Sequence, residues 1–237
     1  MDEIAAAFVA ALGLILSGDP ELVQIVLLSL RVSLTAVLLA TLLGLPAGAA
    51  LAVFRFPGRR VLVVLANAMM GLPPVVVGLA LYVVLSRSGP LGFLGWLFTP
   101  AAMILAQAVL VTPLIAAIAR QSMAELWAEY ADELRSLGVG PLRTVATLLW
   151  DGRFALLTSV LAGFGRAAAE VGAVIMVGGN IAHVTRTMTT AIALETSKGE
   201  LALAMGLGFL LMAISLVINA AAYLIGEFVR LRESGAA

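Results

Sequence analysis

Ala131-Asp132-Glu133-Leu134-Arg135-Ser136-Leu137-Gly138-Val139-Gly140-Pro141 is the centre of the one long charged interval in a chain otherwise made mostly of hydrocarbon. Nine charged side chains fall between its ends: Arg120, Glu125, Glu129, Asp132, Glu133, Arg135, Arg143, Asp151 and Arg153. Long apolar runs lie on both sides, so the interval reads as a segment that a membrane bundle holds in water. Leu126, Tyr130, Leu134 and Leu137 recur at three- and four-residue spacing, the rhythm of an amphipathic helix. Gly138 follows as a helix stop, and Gly140-Pro141 makes a turn. Leu142, Val145, Leu148 and Leu149 then open a second helical pattern. Two short helices joined by a glycine turn would fit a groove on a partner. A plain solvated loop is the alternative these residues leave open.

Composition fixes the solvent. Of 237 residues, 62% are hydrophobic and 12% charged, whereas soluble domains carry about 25% charged residues. Mean hydropathy is +1.10. A single globular core cannot absorb that much apolar surface, so the expected class is an all-α integral membrane protein. The net charge of zero argues against a nucleic-acid partner, which selects a basic surface. Cysteine is absent and His183 is the one histidine, which excludes disulfides, thiolate sites and multi-histidine metal sites. Met1-Asp2-Glu3 is acidic where a signal peptide would be basic. The apolar run over residues 4–17 falls short of the ~20 residues a span needs. Residues 1–20 are therefore expected to form an interfacial or re-entrant helix that stays with the mature protein.

Five segments are long enough to cross a bilayer: Leu22 to Phe54, Val61 to Leu85, Thr99 to Ala119, Phe154 to Val177, and Leu201 to Val229. Asp19-Pro20 supplies a cap and a first-turn proline for the first. Gly71-Leu72-Pro73-Pro74 interrupts the second. Arg55, Arg59, Arg60, Arg120, Arg135, Arg143, Arg153, Arg230 and Arg232 collect on one side of this arrangement, against Arg87, Arg186 and Lys198 on the other. The positive-inside rule then makes the charged interval and the C-terminus cytoplasmic, with the N-terminus outside. Small residues such as Gly44, Gly48, Gly163 and Gly165 predict close helix packing.

Several residues stand out chemically. The one lysine, Lys198, follows Ser197, so there is no phosphate-binding loop with its glycine-lysine pair. Any ATP hydrolysis must occur on another polypeptide. Pro73 and Pro74 break a helix inside the membrane, which is tolerated only beside protein or a wet cavity. They suggest a kink lining a pathway, with Met69 and Met70 as gate or apolar filler. Arg166 and Glu170 are four apart, so on a continuous helix they share a face. Ionised groups at membrane depth are costly and usually paired; here they would line an anion pathway or tie helices together. His183, with Thr185, Arg186 and Thr187, reads as an outer surface for a binding protein.

The acid–glycine spacing of the charged interval resembles the cytoplasmic "EAA" loop of type I ABC importer permeases. Asp132 or Glu133 stands at the family's glutamate, Leu134 at an alanine and Gly138 at the glycine, although Glu-Ala-Ala itself is missing. The stretch from Gly165 to Asn180, including Arg166, Glu170, Gly172, Gly178 and Asn180, is similar to oxyanion permeases of that family. Residues 187–200, the short N-terminal segment and Gly71 to Leu79 look most like its tungstate-specific members. The resemblance implies a homodimer bound to two cytosolic ATPase subunits, which carry ATP-Mg, and served by an extracytoplasmic binding protein. It implies a transmembrane domain over residues 21–230 in the cell membrane, with a coupling loop at about 121–153 and no cofactor or catalytic residue on this chain. Within the loop, Asp132, Glu133, Arg135, Leu137 and Gly138 would meet the ATPase. Pro73, Pro74, Met69, Arg166, Glu170, Gly178 and Asn180 would line or gate the pathway. Molybdate or sulfate is the alternative cargo. An ion-coupled secondary transporter is the alternative class, and would need an internal inverted repeat and midplane carboxylates, of which Glu170 alone is visible.

Overall fold

The computed structural model describes Gly13 and residues 19–233, the side chains of 230–233 apart. The helix expected over residues 1–20 therefore lies almost wholly outside the described residues. Among them the secondary structure is helical: α1 Pro20–Val53, α2 Arg59–Met69, α3 Pro74–Leu85, a 3-10 turn Gly92–Leu94, α4 Pro100–Ser136, α5 Pro141–Asp151, α6 Arg153–Ala168, α7 Gly172–Gly178, α8 Met188–Lys198 and α9 Leu201–Glu233. Three helices are long and apolar enough to cross a membrane, and two bent pairs, α2 with α3 and α5 with α6, raise that to as many as five.

The start of α1 is capped as the sequence predicts. Asp19 Oδ1 accepts from the backbone N–H of Glu21 at 2.8 Å and of Leu22 at 3.1 Å, satisfying two of the donors a helix leaves open at its N-terminus. The other end of α1 is closed by an arginine. Arg59 Nε donates to the carbonyl of Leu51 at 2.7 Å and its Nη2 to that of Ala52 at 3.4 Å, so a cation meets the negative end of the helix dipole.

The structure redraws three of the boundaries that the sequence predicts. α2 ends at Met69; Pro73 is extended (φ −64°, ψ 120°) and Pro74 opens α3. The Pro-Pro pair thus separates two helices rather than kinking one. The expected span from Phe154 to Val177 is also broken. α6 stops at Ala168 and α7 restarts at Gly172. Conversely, no boundary separates the third span from the charged interval. α4 runs unbroken for 37 residues, about 55 Å at ~1.5 Å per residue, far beyond a ~30 Å hydrocarbon core.

The residues group into two compact units. One holds the described parts of Met1–Thr35, Pro73–Gln107 and Ala167–Ala220. In it α3 packs on α7 with almost no space between backbones: a Cβ added at Gly78 would lie 2.8 Å from Ala173 Cα and 2.9 Å from Met176 Cβ. The other unit holds Ala36–Leu72, Ala108–Arg166 and the described part of Ala221–Ala237. Its core gathers Ala49, Ala119, Met123 and Leu148, each fully buried, with Ala52, Val53 and Leu156 nearly so. Small residues set the approach here too. A Cβ at Gly163 would meet Ile115 Cδ1 at 2.8 Å, whereas one at Gly165 would meet nothing within 4 Å.

Candidate functional site

The charged interval folds as a helix end, a turn and a second helix, all within the second unit. Leu126, Tyr130 and Leu134 on α4 pack against the core cluster, as do Val145 and Leu149 on α5, while Leu148 is wholly buried inside it. These are the apolar positions of the two sequence patterns apart from Leu137 and Leu142, the two that flank the turn and are exposed. Between them the chain reverses at Gly138, whose φ is +65°. Val139 N–H donates to Leu134 carbonyl at 3.0 Å and Gly138 N–H to Arg135 carbonyl at 3.0 Å. That bond pair is the Schellman termination, which puts its C′ residue in the left-handed region that glycine adopts freely.

The turn brings Asp132, Glu133, Arg135, Leu137 and Gly138 together, all exposed. Asp132 and Arg135 form an ion pair at 3.4 Å with 99% and 55% of their side chains exposed, respectively. Such a solvated pair contributes little stability. The Arg135 guanidinium also lies 5.2 Å from the Trp127 ring, which limits the directions it samples. Glu129, the largest influence, together with burial and Asp151 and Glu133, holds the Tyr130 hydroxyl above its ordinary value of 10.0, so it is a neutral donor at physiological pH.

On α5, Leu142 belongs to the apolar pattern yet is 80% exposed, and Trp150, which the pattern does not include, is 67% exposed. Arg153 stacks 4.7 Å from both the Trp150 and Phe154 rings. Leu137 is 75% exposed, so three large apolar side chains of this interval stand without cover among the described residues.

The first unit carries a different constellation. Glu170 is only 3% exposed and stands in the break between α6 and α7. Its Oε1 accepts from Ala173 N–H at 3.0 Å, and its carbonyl accepts from Thr189 Oγ1 at 2.9 Å. The Ala167 carbonyl, freed by the end of α6, accepts from Gln107 Nε2 at 3.0 Å and from Glu170 N–H at 3.1 Å. Buried side chains therefore satisfy the backbone groups that an interrupted span would otherwise leave bare. The shared helix face expected for Arg166 and Glu170 is not built, because α6 ends before Glu170.

Gly178 and Asn180 extend the constellation. Gly178 carbonyl accepts from Thr185 Oγ1 at 2.6 Å, and Thr185 Oγ1 in turn accepts from Ile181 N–H at 2.9 Å. Asn180 sits at φ +49° and donates through Nδ2 to Thr190 carbonyl at 3.3 Å; its Oδ1 is buried without a partner among the described residues. Thr187 and Thr190 exchange side-chain and backbone bonds as a capping box at the start of α8. Gln107, Thr189 and Thr190 are candidates that pattern reading passed over, and Thr185 and Thr187, read as outer surface, are buried beside them. The signal was present in Thr185-Arg186-Thr187-Met188-Thr189-Thr190, four hydroxyls in six residues of an apolar chain. Pro73, Pro74, Glu170, Gly178 and Asn180 thus belong to the first unit, while Met69 and Arg166, both half-buried, belong to the second.

No family model matches the chain, but curated proteins do. It is 39% identical over 227 residues to the tungstate uptake system permease protein TupB of Peptoclostridium acidaminophilum, covering 96% of this chain and 100% of that one. It is 37% identical to the protein of the same name from Campylobacter jejuni, covering 92% of each. The molybdenum transport system permease protein ModB of Escherichia coli is 32% identical over 77% of this chain and 83% of its own. Similarity of this extent accounts for the long apolar helices, the missing nucleotide-binding loop and the exposed turn together, and makes the chain a multi-pass membrane subunit rather than an enzyme, one that works with an ATPase and a binding protein. The chain belongs to the family of ABC transporter permeases for oxyanions.

Proposed function

We propose that the chain forms the translocation pathway of a tungstate importer, as a homodimer joined to two ATPase subunits on the cytoplasmic face. The observation that carries the tungstate reading is the 39% identity over 96% of the chain to a tungstate permease, against 32% over 77% for the molybdenum permease. Residues 21–230 act as one transmembrane domain, with the N-terminus outside and the C-terminus inside. The turn at Asp132, Glu133, Arg135, Leu137 and Gly138 docks into the ATPase and passes its closure to the spans. Leu142 and Trp150 on α5 widen that surface.

Pro73, Pro74, Met69, Arg166, Glu170, Gly178 and Asn180 line or gate the pathway. The span breaks at Pro73 and Glu170 support this, since irregular backbone at membrane depth belongs beside a cavity. An external binding protein delivers the anion, and selectivity resides mainly there, because a pathway must release what it admits. The test is ATPase activity of the reconstituted complex with its binding protein loaded in turn with tungstate, molybdate or sulfate. Stimulation by tungstate at the lowest concentration is expected; stimulation by sulfate alone would overturn the reading.

A further inference from the structure

A pocket of about 360 Å³ opens in the first unit between the start of α1, Arg186, α8 and the start of α9. Its lining is divided. Glu21, Arg186, Glu195 and Lys198 supply charge, while Leu22, Ile25, Leu203 and Leu207 supply hydrocarbon. α1 begins at Pro20 and α9 at Leu201, so the pocket lies beside the first turns of two helices long and apolar enough to cross a membrane. We propose that it binds one zwitterionic phospholipid, with the phosphate on Arg186 and Lys198, the ammonium on Glu21 and an acyl chain on the leucine wall.

Arg186 is the strongest reason. Its side chain is 20% exposed and touches Glu21 only at a long 3.4 Å, through Nη1. Its Nε is buried with no acceptor among the described residues. The side chain lines the pocket, and the planar guanidinium fork is shaped to take two oxygens of one phosphate group. Lys198, paired with Glu195 at 2.8 Å, is the second cation lining the pocket.

The carboxylates decide which anion fits. Asp19, Glu21 and Glu195 all line the pocket against two cations. A free divalent oxyanion would face three carboxylates, whereas a headgroup carrying both signs meets a partner for each. The apolar wall gives a free ion nothing, but offers a lipid chain the contact that its phosphate alone lacks. The pocket is therefore separate from the transport of the cargo anion.

The test is native mass spectrometry of the full-length chain in detergent, titrated with phosphatidylethanolamine or phosphatidylglycerol. One phosphatidylethanolamine per chain is expected, retained about tenfold more strongly than phosphatidylglycerol. Arg186→Gln should remove the retention, and Glu21→Gln should abolish the preference between the two lipids. Leu203→Trp fills the apolar wall without touching an ion pair; it should also lose the lipid while melting at the wild-type temperature. Equal retention of both lipids by the wild type would overturn the proposal, as would undiminished retention in Arg186→Gln and Leu203→Trp, or a pocket closed by a second copy of the chain with no lipid bound.

Discussion

Single residues carry the two devices that make this chain more than a bundle. Gly138 ends α4 at φ +65°, where a side chain costs about 1–2 kcal/mol. Gly138→Ala should strain the turn and lower recovery of the ATPase with the tagged permease, while Gly138→Asn, which tolerates that conformation better, should restore most of it. Thr189 donates to the Glu170 carbonyl in a buried setting. Thr189→Val keeps the shape and deletes the donor, so a thermal-shift assay should register a loss of about 1–3 kcal/mol. Thr196 bonds only the Ile192 carbonyl of its own helix and is exposed; Thr196→Val should stay within about 0.5 kcal/mol.

At the scale of elements, α5 has two faces with opposite duties. Leu148 is fully buried in the core of its unit, and Leu148→Ala should destabilise by about 2–5 kcal/mol. Leu142 and Trp150 are largely exposed, so Leu142→Ala and Trp150→Ala should leave the melting temperature almost unchanged and reduce ATPase co-purification instead. Loss of stability without loss of ATPase binding at these two positions would refute the docking role. How much of this was legible differs by element. Asp19 as a cap, Gly138 as a stop and Pro73-Pro74 as a break were readable because each acts through its own backbone. The unbroken run of α4 into the charged interval was not, since hydropathy marks where lipid ends and not where a helix does. The break after Ala168 was hidden for another reason. Residues 165–172 have no proline, and the interruption is stabilised by Gln107, 60 positions away from the carbonyl it caps, a long-range contact that local pattern cannot contain.

At the scale of the molecule, apolar composition selects lipid, helices follow from the backbone's need for internal bonds, and one charged turn stands exposed, the surface proposed to meet the ATPase. Membership among the oxyanion ABC permeases implies an ATPase on a partner subunit. The direct test is uptake by proteoliposomes holding the permease, its ATPase and its binding protein, with trapped ATP and tungsten measured by elemental analysis. The account predicts tungstate accumulation that requires ATP, resists an excess of sulfate and disappears when Asp132–Gly138 is deleted. Accumulation that persists without the ATPase, or in the deletion variant, would contradict it.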